Sequence, residues 1–403
     1  MKKEQLILLV SNPNQSFVKT EIETFAKLVK QLFVISTTHE LPYFELPNNV
    51  VYTKFSLVNY KTQKIDYDLV GVFVKDSLVH LTNYKYLNKS KEHFSTLRQA
   101  NYLKQSLKNF IVSNNIEEET PILSFWCDIW AVAMALLKRE NTNVKVYSRL
   151  HGRDLYEERK PTTTFAIPFR PFVVKQLDGL FPISKHGSAY LANKYPLFKD
   201  KIKASYLGCP DYKVCDNPSK TLTIISIATV RHVKRIHRIA EVVKNYPKAI
   251  HWIHIGGEAN RLNDPTIAYT EKIINEIKLV QNKQVTLMGM VDVNEIESIV
   301  NQFNPHVLVN TSEYEGLPVS VMEALSMGVP CIATDVGGTK EMINEKTGLL
   351  LNAQFTNDQL IEAIEHISSN WLTNKIEYRK TTKLHWMKTL NPIKNREQFI
   401  KWV

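Results

Sequence analysis

Two glutamates, Glu315 and Glu323, flank a Gly316-Leu317-Pro318 turn, and seven residues separate them. The run just before them, Val307 to Val309, reads as a short buried strand. Pro318 suits the first turn of a helix, where its missing N–H costs nothing. That helix should run through Met322 and Leu325 and stop at Gly328. A second buried strand, Pro330 to Thr334, and a Gly337-Gly338 turn into another helix follow. Strand, helix, strand and helix at this spacing form a parallel α/β unit. Ligands of such sheets bind outside the carboxyl ends of the strands. A helix start in that position offers free backbone N–H groups and a positive dipole end, which suits a diphosphate. Pro318 has no donor, so Gly316, Leu317 and Val319 are the candidate amides. From spacing alone, two solvated glutamates on a surface helix fit equally well.

The wider segment is more specific. Glu315-Gly-Leu-Pro, Glu323-Ala-Leu, Met327-Gly-Val-Pro and Thr334-Asp-Val-Gly-Gly together resemble the signature of retaining glycosyltransferases of family 4. The resemblance implies the GT-B fold, an α/β architecture of two Rossmann-like domains facing across a cleft. It implies that Glu323 holds the nucleotide ribose and that Glu315 lies near the reacting carbon of the transferred sugar. It implies a nucleoside-diphosphate sugar as substrate, UDP rather than GDP, with no cofactor and no metal. His151-Gly152, at the end of a strand from Val144 to Leu150, matches the histidine that lies over the donor sugar. Arg153 and Asp154 continue a His-Gly-x-Asp-Leu-Tyr run similar to that of bacterial exopolysaccharide enzymes, which makes them acceptor-side candidates. Lys234 aligns with a lysine that holds the donor diphosphate. The usual arginine position holds Thr229, and Arg231 could replace it only with a loop shift. Cations belong there because the leaving diphosphate gains charge as the glycosidic bond breaks. Met290, in Gly289-Met290-Val291, falls where the family contacts the base. The loop after the first strand, residues 11–17, lacks the glycines that often approach donor phosphates.

The rest of the chain must position these groups. Strands are expected near residues 6–10, 32–36, 50–53, 69–74, 121–124, 144–150 and 180–183. Helices are expected at 18–31, through much of 80–115, at 129–137 and at 186–194. Together these make an acceptor-binding domain over 1–208, joined by a linker to a nucleotide-sugar domain over 221–385. In the latter, strands at 221–229, 251–255 and 285–288 alternate with a helix at 236–244, and a helix at 358–369 follows the central unit. Residues 386–403 form a tail, broken at Pro392, that returns to the first domain. Asp66-Tyr67-Asp68 looks like a metal-binding Asp-x-Asp, but it precedes an expected strand and reads as a solvated turn.

With 403 residues, 44% of them hydrophobic, the chain can build two domains of ordinary size. The four scattered cysteines fit a reduced, cytoplasmic setting. The apolar run behind Met1-Lys2-Lys3 is too short for a signal core and reads as a first strand. Residues 1–210 hold 29 Lys and Arg against 19 Asp and Glu, and residues 211–403 hold 22 against 21. A basic first half suggests an anionic partner. An anionic membrane face or a polyprenyl-diphosphate glycan acceptor fits the resemblance better than nucleic acid does, and a basic face without a partner is the plain alternative. The expected function is transfer of a hexose-type sugar to a glycan hydroxyl in surface polysaccharide assembly, peripheral to the membrane. The alternatives are a small soluble acceptor or a non-catalytic sugar-nucleotide-binding scaffold.

Overall fold

A computed structural model describes residues 3–38, 40–58, 60–62, 67–159, 167–214, 221–257 and 264–403. The chain divides into two compact units, residues 1–207 with 392–403, and residues 208–391.

The first unit is built on β1 (Lys3–Val10), β2 (Val29–Ser36), β3 (Val50–Lys54), β4 (Ile122–Ser124), β5 (Val146–Leu150) and β6 (Gly179–Pro182). They form one parallel sheet in the order β3-β2-β1-β4-β5-β6. Leu6 to Val10 are wholly buried, as expected of a strand covered on both faces. Its helices are α1 (Ser16–Leu28), α2 (Tyr67–Val79), α3 (Tyr84–Leu87), α4 (Ser90–Ser113), α5 (Ile129–Glu140), α6 (Gly152–Leu155), α7 (Arg170–Gln176) and α8 (Lys185–Lys194).

Two expectations fail here. Residues 69–74 are not a strand but the heart of α2. Leu69, Val72 and Asp76 are buried at helical spacing, while Tyr67, Val70, Val74 and Leu78 are exposed on the other side. A helix apolar on both sides shows no amphipathic period, so its short run mimics a buried strand. The first helix stops at Leu28 because Val29 is already extended and pairs with Lys3. Asp68 opens α2 and pairs with Arg139 at 2.9 Å, while Asp66 lies outside the described residues.

The second unit repeats the plan with β7 (Thr223–Ile227), β8 (Ile250–Ile255), β9 (Lys283–Gly289), β10 (Val307–Asn310), β11 (Cys331–Thr334) and β12 (Gly348–Leu351). The order is β12-β11-β10-β7-β8-β9, again parallel throughout. Its helices are α9 (Ile236–Asn245), α10 (Pro265–Ile277), α11 (Val293–Phe303), α12 (Val319–Ser326) and α13 (Asn357–Thr389). Numbered within each unit, both sheets read 3-2-1-4-5-6, the doubly wound order whose crevice lies between the first and fourth strands. Gly337-Gly338 leads only to a single turn, Thr339–Glu341, and not to a helix. The helix expected at 358–369 runs on to Thr389, since no Gly or Pro interrupts it.

The last helix, α14 (Pro392–Ile400), belongs to the first unit, so the return begins at Pro392 rather than at residue 386. Phe399 packs on Phe25 and Phe181, with ring centroids 5.7 and 4.8 Å apart. Beside it, Arg396 Nε donates to Glu21 Oε2 at 2.5 Å, and Arg149 Nη1 lies 3.2 Å from Glu21 Oε1. All three charged side chains are buried. Among the described residues, no helix is long and apolar enough to cross a membrane.

Candidate functional site

In the second unit the candidate residues gather at the carboxyl end of β10, beside the crevice with β7. The loop after β10 is fixed from below by Arg235. This residue is left-handed, with φ 48°. Its guanidinium donates to the carbonyls of Thr311 at 2.6 Å, Ser312 at 3.3 Å and Ala353 at 2.7 Å. Thr334 Oγ1 adds a bond to the Ser312 carbonyl at 2.5 Å. From this clamped loop Glu315 is turned inward, nearly buried. Its Oε1 accepts from Lys234 Nζ at 2.5 Å and from Asn310 Nδ2 at 3.5 Å. Lys234 arrives on a single turn, His232–Lys234, between β7 and α9.

The turn after β11 holds Glu315 from the other side. Gly337 has φ +58°, and a Cβ there would sit 2.0 Å from the Glu315 carbonyl oxygen. Only glycine permits that approach. Gly338 N–H then donates to the Gly316 carbonyl at 2.9 Å. Pro318 is extended and caps α12, which begins at Val319, one residue later than expected. Among the described residues, the amides of Gly316, Leu317 and Val319 donate to no backbone carbonyl. They remain available where a helix start favours an anion. Glu323, inside α12, is buried, and burial pushes its carboxyl up to about 8. A neutral carboxyl in this position can donate as well as accept a hydrogen bond.

Lys234, Glu315, Gly316, Leu317 and Val319 thus lie together at one strand end, while Glu323 lies a turn further along α12, with Cys209 near its carboxyl. Arg231 is exposed at the start of the same turn, and its carbonyl, not its side chain, serves the loop by accepting from the Lys234 amide at 3.0 Å. Met290 is exposed after the left-handed Gly289, with its side chain against Gly257.

In the first unit His151 ends β5 and caps α6. Its ring is buried against Trp126 and Phe125, with centroids 4.2 and 4.6 Å away. Burial first, then the Arg149 and Arg396 cations, hold its pKa well below the ordinary value, so the imidazole is neutral. Its Nε2 has no hydrogen-bond partner among the described residues. Asp154 lines a cavity of the first unit and is held by backbone amides. One oxygen accepts the His151 amide at 2.5 Å and the other the Cys127 amide at 2.6 Å. Burial pushes its carboxyl up to about 6, against the pull of Arg170. Arg153, its neighbour, is exposed. The contacts that Arg235 and Gly337 make carry no distinguishing signal in the sequence. Arg235 stands in a basic run where no spacing rule separates it from Arg231, and a Gly-Gly pair signals a turn without naming what it touches.

Residues 213–383 match the family model described as Glycosyl transferases group 1. The O-antigen biosynthesis glycosyltransferase WbnH of Escherichia coli is 25% identical over 232 residues, covering 54% of this chain and 63% of that protein. The chain thus spans about 63% of the length of the curated relatives it matches. Among solved structures, sucrose-phosphate synthase from Thermosynechococcus elongatus superposes with a TM-score of 0.70 at 15% identity, covering 99% of this chain and 98% of that one. Anabaena HepE in complex with UDP-glucose gives 0.68 at 11% identity, covering 98% of each chain. The chain therefore has the GT-B fold of glycosyltransferases, with a second domain that matches group 1.

Proposed function

We propose that this chain is a retaining glycosyltransferase of family 4. It moves a hexose-type sugar from a nucleoside diphosphate to a hydroxyl of a glycan acceptor in surface polysaccharide assembly. The observation that carries this reading is the Lys234–Glu315 pair beside the unengaged amides of Gly316, Leu317 and Val319. A diphosphate on those amides leaves its sugar toward Glu315. The ammonium of Lys234 has three donors, enough to hold Glu315 and a phosphate oxygen together. As the glycosidic bond breaks, charge grows on that oxygen, and a fixed cation with helix amides stabilises it. Glu323 takes the ribose hydroxyls, Met290 and Arg231 border the base and phosphates, and neutral His151 hydrogen-bonds the sugar.

UDP is the expected nucleotide, a choice supported by HepE having been solved with UDP-glucose. The match to an O-antigen biosynthesis enzyme supports a surface-glycan acceptor, and the basic first half suits one carried on a polyprenyl diphosphate. A peripheral place on the inner membrane face is supported by the apolar stripe of α2. There Tyr67, Val74 and Leu78 are exposed, with exposed Lys75 on the same helix. Such a face suits an anionic bilayer.

The test is a thermal-shift and hydrolysis panel of UDP-, GDP- and ADP-sugars, with Glu323→Ala alongside. One UDP-sugar should stabilise the wild type and be slowly hydrolysed, and the variant should lose both responses. Binding of a nucleotide sugar without hydrolysis would leave the scaffold reading, and failure of every nucleotide to bind the folded chain would overturn both.

A further inference from the structure

Strand β10 is apolar except at its last position. Val307, Leu308 and Val309 are buried, and so is Asn310, which closes the strand. A buried carboxamide is unfavourable unless its oxygen and its nitrogen both find hydrogen-bond partners. An apolar side chain would suit a buried strand better, so the partners of Asn310 bear on why it stands there.

Those partners differ in kind. Asn310 Oδ1 accepts the Ser312 amide at 3.0 Å, a turn in which the side chain bonds backbone two residues on. The Ser312 peptide is itself immobilised, because its carbonyl takes the Arg235 guanidinium and the Thr334 hydroxyl. This fixes which way the carboxamide points. Turned by half a rotation, its NH2 would face the Ser312 N–H and its oxygen would face the Glu315 carboxylate. Asn310 Nδ2 is therefore aimed at Glu315, and it meets Oε1 at 3.5 Å. The same oxygen takes Lys234 Nζ at 2.5 Å.

The two donors to Oε1 are not equivalent. Lys234 is a flexible ammonium, partly exposed, and a phosphate competes with Glu315 for it. Asn310 is uncharged and anchored at the strand end, so an arriving phosphate does not draw it away. Its bond to Glu315 is long, as such bonds often are before a ligand tightens the site. A neutral donor also leaves the full negative charge on Glu315, which suits a carbon that turns cationic as its glycosidic bond breaks.

We propose that Asn310 is a positioning residue for Glu315: its carboxamide, oriented by the Ser312 amide, holds the carboxylate in place when Lys234 turns to the donor diphosphate. The role rests on the glycosyl-transfer reading, and it is exerted through Glu315 rather than on the sugar or the nucleotide.

The test follows hydrolysis of UDP-glucose, UDP-galactose and UDP-N-acetylglucosamine by the full chain from pH 5 to pH 8.5. Asn310→Asp is nearly isosteric and keeps an acceptor for the Ser312 amide, but it turns an oxygen toward Glu315. Two facing carboxylates share a proton at low pH and repel each other at high pH. With the donor that the wild type hydrolyses, kcat of Asn310→Asp should be about 100-fold below wild type at pH 8, the size expected for a misplaced reacting group. The deficit should shrink to about tenfold at pH 5, where the shared proton restores a hydrogen bond, and the donor KM should stay within about threefold. Asn310→Leu carries no charge and serves if the aspartate variant unfolds. Its kcat should fall by about tenfold at every pH, again with little change in KM. A wild-type kcat in either folded variant, an aspartate deficit that does not vary with pH, or a loss confined to KM would each overturn the proposal. A melting temperature lowered in Asn310→Leu with kcat unchanged would make Asn310 purely structural. Absence of hydrolysis by the wild type would sink the transfer reading and the positioning role together. With wild-type hydrolysis intact, failure falls on Asn310 alone.

Discussion

The two units share a strand order but anchor their acids differently. In the first, Asp154 is tied by both oxygens to backbone amides, and Glu21 lies buried between two guanidiniums. In the second, Glu315 meets the ends of side chains, Lys234 and Asn310, while the backbone beneath it is held by Arg235 and Gly337. An acid bonded to backbone is framework, because releasing it breaks the fold locally. An acid bonded to a partly exposed lysine can exchange partners when a ligand arrives, because only a flexible side chain must move. A carboxylate beyond a strand end therefore serves structure in one unit and suits chemistry in the other.

The widest separation should come from Glu21→Ala. Removing the one carboxylate leaves the buried Arg149 and Arg396 cations uncompensated and costs about 3–5 kcal/mol. Denaturant unfolding should show the first unit destabilised by that amount. A loss under about 1 kcal/mol, the size of an exposed pair, would remove the framework half of the contrast. Lys234→Ala should behave in the opposite way. Its side chain is 26% exposed, so the ion pair adds less than about 1 kcal/mol to stability and the melting temperature should barely move. Donor turnover should fall by about 100-fold, the size expected for losing one stabiliser of developing charge. A large drop in stability with little change in turnover would reverse the assignment.

The smallest effect is a pH slope at Glu323. Burial raises its carboxyl from 4.5 to about 8, so between those values the native chain holds a proton that the unfolded chain has lost. Stability from this group is therefore greatest at low pH and falls as pH rises through that window. Glu323→Gln removes the titration. Its melting temperature should gain on the wild type by a few degrees between about pH 5 and pH 8 in thermal scans. Parallel curves would mean that Glu323 is not a buried neutral acid.

Much of the fold and of the second unit's site is legible in the residues themselves. The unit around Glu315 and Glu323 announces itself because strand, Pro-led helix, glycine stop and second strand follow one another with short links. His151 is marked by ending an apolar run. The misreadings share a cause. Residues 69–74 lack a helical period because α2 is apolar on two sides, and the length of α13 follows from residues 357–389 holding neither Gly nor Pro to mark a stop. A carboxylate after His-Gly likewise does not reveal that both Asp154 oxygens take the amides of residues 127 and 151.

The Glu21–Arg396 pair spans 375 positions of sequence. A ribosome makes Glu21 and Arg149 early, but the guanidinium that completes their cluster emerges only after all of residues 208–391. The first unit is therefore the last to be finished, reversing the usual order in which domains mature from the N-terminus during translation. A nascent chain that has not yet reached α14 carries Phe25 and Phe181 without the Phe399 ring that covers them. Transient exposure of apolar surface of that kind is what makes incomplete chains prone to aggregate.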